Sequence, residues 1–187
     1  MSPRLSSVLS GHDLPRAELG ALVLDGEAYR LGDCVAAIDQ VTGPATRAAA
    51  LALELPPRLI AEQHSAAWVW GVLPTPPARH EVCADISART RPALDTRLSV
   101  REVVIMHEDI VVLGGMSITT PMRTAIDLAR FVVEWSAEES RIVGELVQLA
   151  GCSVLDCARV MNRKRNLPNK KIALERLAGC LASLHHT

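Results

Sequence analysis

The spacing of apolar residues divides the chain into helix-like and strand-like stretches. Leu19, Ala21, Leu22 and Leu24, following Asp13 and Pro15, predict a short helix with Asp13 as its cap. Asp25-Gly26 marks a turn, and Glu27 to Leu31 alternates like a strand. Gly32-Asp33 turns again, and Cys34 to Ile38 supplies a second strand. Pro44 opens a helix through Arg47, Ala48, Leu51, Ala52 and Leu55, which Pro56-Pro57 ends. Leu59 to Ala61 then precede a run from His64 to Gly71, in which Ser65 is an N-cap candidate. Trp68 and Trp70 are two apart and cannot share a helical face, so one is expected in the core and the other over a neighbouring element. The proline-rich stretch Leu73 to Pro77 is a stiff connector.

Beyond the connector, His80 to Ile86 reads as a strand and residues 87–99 as a polar loop or hairpin arm. The sharpest local pattern runs from Val103 to Phe131. Val103 to His107 and Asp109 to Leu113 are two β-branched runs, Gly114-Gly115 is a turn, and Met116 to Thr119 leads into a helix. Thr120 can cap that helix, and Pro121 suits its first position because it lacks an N–H. Met122, Ala125, Ile126 and Ala129 form its inner face, while Arg123, Asp127 and Arg130 fall on one other stripe. That stripe reads as an ion network bracing the helix, with an anion or partner contact as the alternative. Ser136 with Glu139 is a capping-box pattern for a helix ended by Gly151. Ser153 caps the next helix, residues 162–169 form a basic loop, and a last helix runs from Lys170 to Leu184. The expected fold is α+β. A partial winged-helix-like region (1–43) precedes a central mixed α/β domain with a small sheet (44–135) and a helical tail with a basic loop (136–187).

Composition narrows the function classes. The chain is 49% hydrophobic and only 3% aromatic, so its core rests on Ala, Leu and Val. No apolar run approaches the roughly 20 residues that span a bilayer, and the first residues lack a signal-peptide pattern, so a cytoplasmic protein is expected. Cys34, Cys83, Cys152, Cys157 and Cys180 are odd in number and lack a C-x-x-C, which reads as buried free thiols. No histidine has a second ligand at helical spacing, so neither metal nor cofactor is expected. No acid stands two residues before Lys164, Lys170 or Lys171, as a restriction-type nuclease requires, and G-x-S-x-G, Walker and G-x-G-x-x-G patterns are missing. His107-Glu108-Asp109 reads as a hairpin tip, and the expectation is a protein that is not an enzyme.

The net charge of −1 provides no global attraction to nucleic acid, but the charge is unevenly spread. The N-terminal hairpin is acidic around Arg30, whereas Arg159, Arg163, Lys164, Arg165, Lys170 and Lys171 have no acid among them. Helix, basic loop, helix invites a nucleic-acid reading, with a solvated turn as the alternative.

Ser65-Ala66-Ala67-Trp68-x-x-Gly71, followed by a strand region and then Gly115-Met116-x-Ile118-Thr119-x-Pro121-x-Arg123-Thr124-x-x-Asp127-Leu128-Ala129-Arg130, resembles the AbiEi family. These are antitoxin-like proteins of bacterial abortive-infection, type IV toxin–antitoxin systems, and the resemblance covers roughly residues 13–135. It implies an N-terminal winged helix that binds promoter DNA for transcription regulation. It also implies a C-terminal α/β domain that supports antitoxicity against a nucleotidyltransferase-type toxin. The wing is expected to be reduced and an appended endonuclease domain is not expected. Arg16 and Arg30 match the family's DNA-binding region. Arg163, Lys164, Arg165, Lys170 and Lys171 are the independent electrostatic candidates. The alternatives are a protein-interaction module that has lost DNA binding, or a degenerate nuclease relative.

Overall fold

The computed structural model describes residues 8–88, 96–163 and 166–184. Its architecture is α+β with a helical C-terminal region. The N-terminal unit comprises β1 (Val8–Leu9), α1 (Arg16–Leu24), β2 (Ala28–Leu31) and β3 (Cys34–Ala37). The strands form an antiparallel sheet in the order β1-β3-β2, with Arg30 opposite Val35 and Leu31 opposite Cys34. Helix α1 lays Leu19 over Ala28 and Val35, flanked by Leu22 and Val23. Asp13 does not cap α1. Its carboxylate accepts from the Ser10 N–H and hydroxyl at 2.9 and 3.0 Å, closing the turn before the helix, and Pro15 occupies the cap position. The two-residue strand β1 carries too short a pattern to be read locally, because its partner is β3, far along the chain.

Helix α2 (Pro44–Glu54) leads to β4 (Ile60–Ala61), α3 (Gln63–Val69) and β5 (His80–Asp85). Then follow β6 (Leu98–Val103), β7 (Ile110–Leu113), β8 (Met116–Thr119) and α4 (Pro121–Phe131). The five strands are ordered β6-β5-β4-β8-β7, with β5–β6 and β4–β8 parallel and the other pairs antiparallel. The first β-branched run is shorter as a strand than its composition suggests. Pairing stops at Val103, and His107–Asp109 form a single 3-10 turn, not a hairpin tip. Helix α3 begins at Gln63 rather than at Ser65, so Ser65 lies inside it, fully buried. Trp68 is buried, while Trp70 reaches across to donate to the Thr119 carbonyl at 3.0 Å.

The tail consists of α5 (Ala137–Leu149), α6 (Val154–Arg163) and α7 (Lys170–Leu184). Ser136 accepts from the Glu139 N–H, and Ser153 accepts from the Asp156 N–H, so both serines cap as their positions predict. One core runs from Val8 to Ile118 and joins the N-terminal sheet to α2, α3 and the larger sheet. A second runs from Ala67 to Cys180 and joins α3 and α4 to α5, α6 and α7. Helix α3 is the seam, sending Ala66, Trp68 and Val69 to the first core and Ala67 to the second. All five cysteines are free thiols, with the sulfurs of Cys152 and Cys157 3.9 Å apart. No described helix is long and apolar enough to cross a membrane.

Candidate functional site

The opening of α4 forms as its residues dictate. Pro121 takes the first helical position and the Thr120 hydroxyl accepts from the Arg123 N–H at 3.4 Å. The helix is not amphipathic in the simple sense, because every residue from Arg123 to Arg130 is buried. Its polar stripe faces protein, which makes full pairing obligatory. Asp127 receives Arg123 Nε on one oxygen at 2.7 Å and Arg130 Nη1 on the other at 2.9 Å. Arg123 also reaches Asp109 at 2.5 Å. Arg101, from β6, forks onto Glu62 at 2.7 and 2.6 Å and lies 4.0 Å from Asp127. The Arg101 and Arg130 guanidiniums both lie over the Phe131 ring, 4.1 and 4.4 Å from its centre. Three carboxylates (Glu62, Asp109, Asp127) balance three guanidiniums (Arg101, Arg123, Arg130) in this network. Burial works against the charge on Arg123, but Asp127 and then Asp109 outweigh it and hold the guanidinium firmly protonated. With every charge answered from within, the stripe works as a brace.

The brace extends into the tail. Arg130 Nε donates to the Pro168 carbonyl at 3.0 Å, and Asn169 Nδ2 donates back to the Arg130 carbonyl at 3.0 Å. Arg176 of α7 donates to the Ala129 and Val132 carbonyls and lies over Trp135. The basic loop is therefore anchored on its C-terminal side. Arg163 is exposed at the end of α6 and shares a hollow of about 410 Å³ with Thr120 and Arg123. Lys171 is exposed and Lys170 half-buried at the start of α7, while Lys164 and Arg165 lie outside the described residues. Two lysines at a helix N-terminus oppose the helix dipole, and no acid in that turn offsets them.

Arg16 and Arg30 are both exposed and line one shallow hollow with Leu19, Asp33 and Val35. They sit apart from the tail cations, on the N-terminal unit. The hairpin turn beside them leaves Asp33 exposed but is tied by its backbone to the end of α2. The Asp33 N–H donates to Glu54 Oε1 at 3.1 Å, and Arg97 lies 3.9 Å from the Asp33 carboxylate. A Cβ at Gly32 would stand 3.2 Å from Glu54 Oε1, so the turn is seated against the end of α2. A cavity of about 410 Å³ opens beside it, lined among others by Arg30, Pro76, His80 and Arg97.

Two histidine clusters carry no marked sequence signal. His64 stands between Glu81 (2.8 Å) and Glu139 (2.9 Å), linking α3, β5 and α5. Burial opposes its charge, but the hydrogen bonds from Glu139 and Glu81 prevail and push its pKa up to about 10. The Glu139 side chain thus serves His64 rather than completing the capping box. His80 lies between Glu54 (3.1 Å) and Ser65 (3.4 Å), an arrangement with the outline of a Ser–His–Glu triad. It lacks the access a nucleophile needs. Ser65 is fully buried, and its hydroxyl already accepts from the Glu81 N–H at 2.9 Å. Among the described residues, no group of three His, Cys, Asp or Glu side chains has the geometry to hold a metal ion.

No family model matches the sequence, and no curated protein matches it. In fold, the chain is similar to the crystal structure of the Rv2827c protein from Mycobacterium tuberculosis. The TM-score is 0.50 at 16% sequence identity, with 95% of this chain and 72% of that chain covered. At that identity the likeness concerns the fold alone.

Proposed function

We propose that the chain is an AbiEi-like antitoxin or transcription regulator, cytoplasmic and without catalysis of its own, that acts by binding a partner protein, DNA or both. The observation that carries this reading is the run Thr119-x-Pro121-x-Arg123-Thr124-x-x-Asp127-Leu128-Ala129-Arg130, whose charged members are spent on the central brace. A brace of that kind holds surfaces in place and leaves no group for chemistry. The partner is a nucleotidyltransferase-type toxin, as the resemblance implies.

DNA contact, on this reading, belongs to the tail. The hairpin turn is tied to Glu54 through the Asp33 N–H and presents the exposed carboxylate of Asp33, the wrong charge for a wing laid along phosphate. Lys170 and Lys171 open α7, where the free backbone N–H groups favour an anion, and Arg163 adds an exposed cation at the end of α6. The docked tip also gives weight to a second reading, an interaction module without DNA binding. Titrating the full chain with the DNA upstream of its own gene, at rising salt, separates the two. Binding that weakens steeply with salt, and that Lys170→Ala/Lys171→Ala reduces while Arg16→Ala does not, supports the regulator with a tail site. No binding at low salt overturns the regulator and leaves the partner-binding module.

A further inference from the structure

The turn between α5 and α6 brings two sulfurs together. Helix α5 ends in a Schellman turn, in which the Gly151 N–H donates to the Gln148 carbonyl at 2.9 Å and the Cys152 N–H to the Val147 carbonyl at 3.4 Å. Cys152 is at the same time the residue before the cap of α6. Ser153 and Asp156 close a capping box there. The Ser153 N–H donates to the Asp156 carboxylate at 3.0 Å, and the Asp156 N–H donates back to the Ser153 hydroxyl oxygen at 3.2 Å. At such a helix start, the residue before the cap packs on the one five places further along as an apolar staple. Here both staple positions are cysteine, Cys152 and Cys157, and their sulfurs are 3.9 Å apart. The two differ in access. Cys157 is fully buried with Val154 and Met161 in the second core, whereas Cys152 is half-buried. Cys34 and Cys180 turn their thiols to the Ala50 and Arg176 carbonyls, and Cys83 lies in β5.

We propose that Cys152 and Cys157 are a reversible redox site, at which a low-molecular-weight disulfide of the glutathione class oxidises the pair to an intrachain disulfide that locks α6 onto the end of α5. The thiolate of the accessible Cys152 attacks one sulfur of the oxidant, breaks its S–S bond and expels one small thiolate. The thiolate of Cys157 then attacks the Cys152 sulfur and expels the second. The two protons given up by the cysteines go to the two small thiolates, so two protein thiols and one small disulfide become one protein disulfide and two small thiols. Closing the bond brings the sulfurs from 3.9 Å to about 2 Å, and Cys152, which lies between the helices, has the freedom to make that approach. Burial pushes the Cys157 thiol up to about 12 and raises Cys152 as well. The reduced pair therefore has no stabilised thiolate to hold it open, whereas a disulfide is apolar and suits the same surroundings. The same burial slows exchange, so the pair answers a sustained oxidising poise rather than a burst. The closed staple fixes the direction in which α6 leaves α5, and α6 ends at Arg163.

The test incubates the full chain in glutathione buffers of rising disulfide-to-thiol ratio, in native solution and in urea. Each sample is quenched with acid, alkylated in denaturant, digested with trypsin and weighed. Residues 142–159, between the cleavage sites after Arg141 and Arg159, form one peptide that holds Cys152 and Cys157 and no other cysteine. A closed pair appears as that peptide lighter by two hydrogens and free of alkyl groups. Half-closure is expected at a ratio at least about tenfold lower in native solution than in urea, because the fold holds the sulfurs in contact. By the same cycle the oxidised chain melts at a higher temperature than the reduced one. Cys157→Ala is expected to stop at a glutathione adduct on Cys152, and Cys152→Ser to leave Cys157 unmodified. Both thiols alkylated at every ratio, a native half-point no lower than that in urea, or a glutathione adduct on Cys152 that persists in the unaltered chain would each overturn the proposal.

Discussion

Asp127 is fully buried with a guanidinium on each carboxylate oxygen, so its removal takes the carboxylate from buried Arg130 and leaves Arg123 with Asp109 alone. Breaking a buried pair in this way costs about 3–5 kcal/mol, more than the pair itself contributes. Asp127→Asn is therefore expected to lower the unfolding free energy by about 3 kcal/mol in a urea titration. A loss below 1 kcal/mol would mean that the network is not the brace described. Gly114 makes a second residue-scale case. It has φ +53, and a Cβ there would stand 2.4 Å from the Ala45 carbonyl and 2.6 Å from the Ala49 nitrogen. Both are backbone atoms of α2 and cannot rotate away. Gly114→Ala is expected to destabilise by roughly 3 kcal/mol or more, among the large effects reserved for overpacking and backbone strain. Gly115, with open space around it, is the comparison: alanine there meets only the penalty of its positive φ.

Elements are tied to one another by few but specific contacts. His64 joins α3 to β5 and α5, with its pKa raised to about 10 against roughly 6.5 in an unfolded chain. A raised pKa stabilises the fold fully below the unfolded value, and that contribution is lost as pH rises from about 6.5 through 10. The melting temperature should thus fall across that window, and His64→Gln should show a shallower fall. Equal slopes would remove His64 as the cause. At the hairpin, Glu54→Ala frees the Asp33 N–H, and amide exchange at Asp33 should accelerate while β8 amides keep their protection. How much of this was legible depends on distance along the chain. The start of α4 was readable because Thr120, Pro121 and the Arg123–Asp127–Arg130 spacing act within one or two turns. Asp109, Glu62 and Arg101 were not, since their partners lie 14 to 39 residues away. Strands β1 and β4, two residues each, carry no period and exist only through their neighbours. Glu139 carried a local capping signal that a contact 75 residues distant overrode.

At the scale of the whole molecule, two apolar cores meet at α3 and one charge network ties the sheet, α4 and the tail loop together. The braced centre carries the family-like pattern, and the tail carries the cations on which DNA binding is proposed. The tail's cations stood out in the sequence as a run without acids. For the proposed antitoxin role the most direct measurement is co-expression of the full chain with a nucleotidyltransferase-type toxin, read as growth and as recovery of a purified complex. The account predicts that growth arrest by that protein is relieved and that the two proteins elute together. Arrest that persists while the chain is folded and abundant, with the two eluting apart, would contradict it.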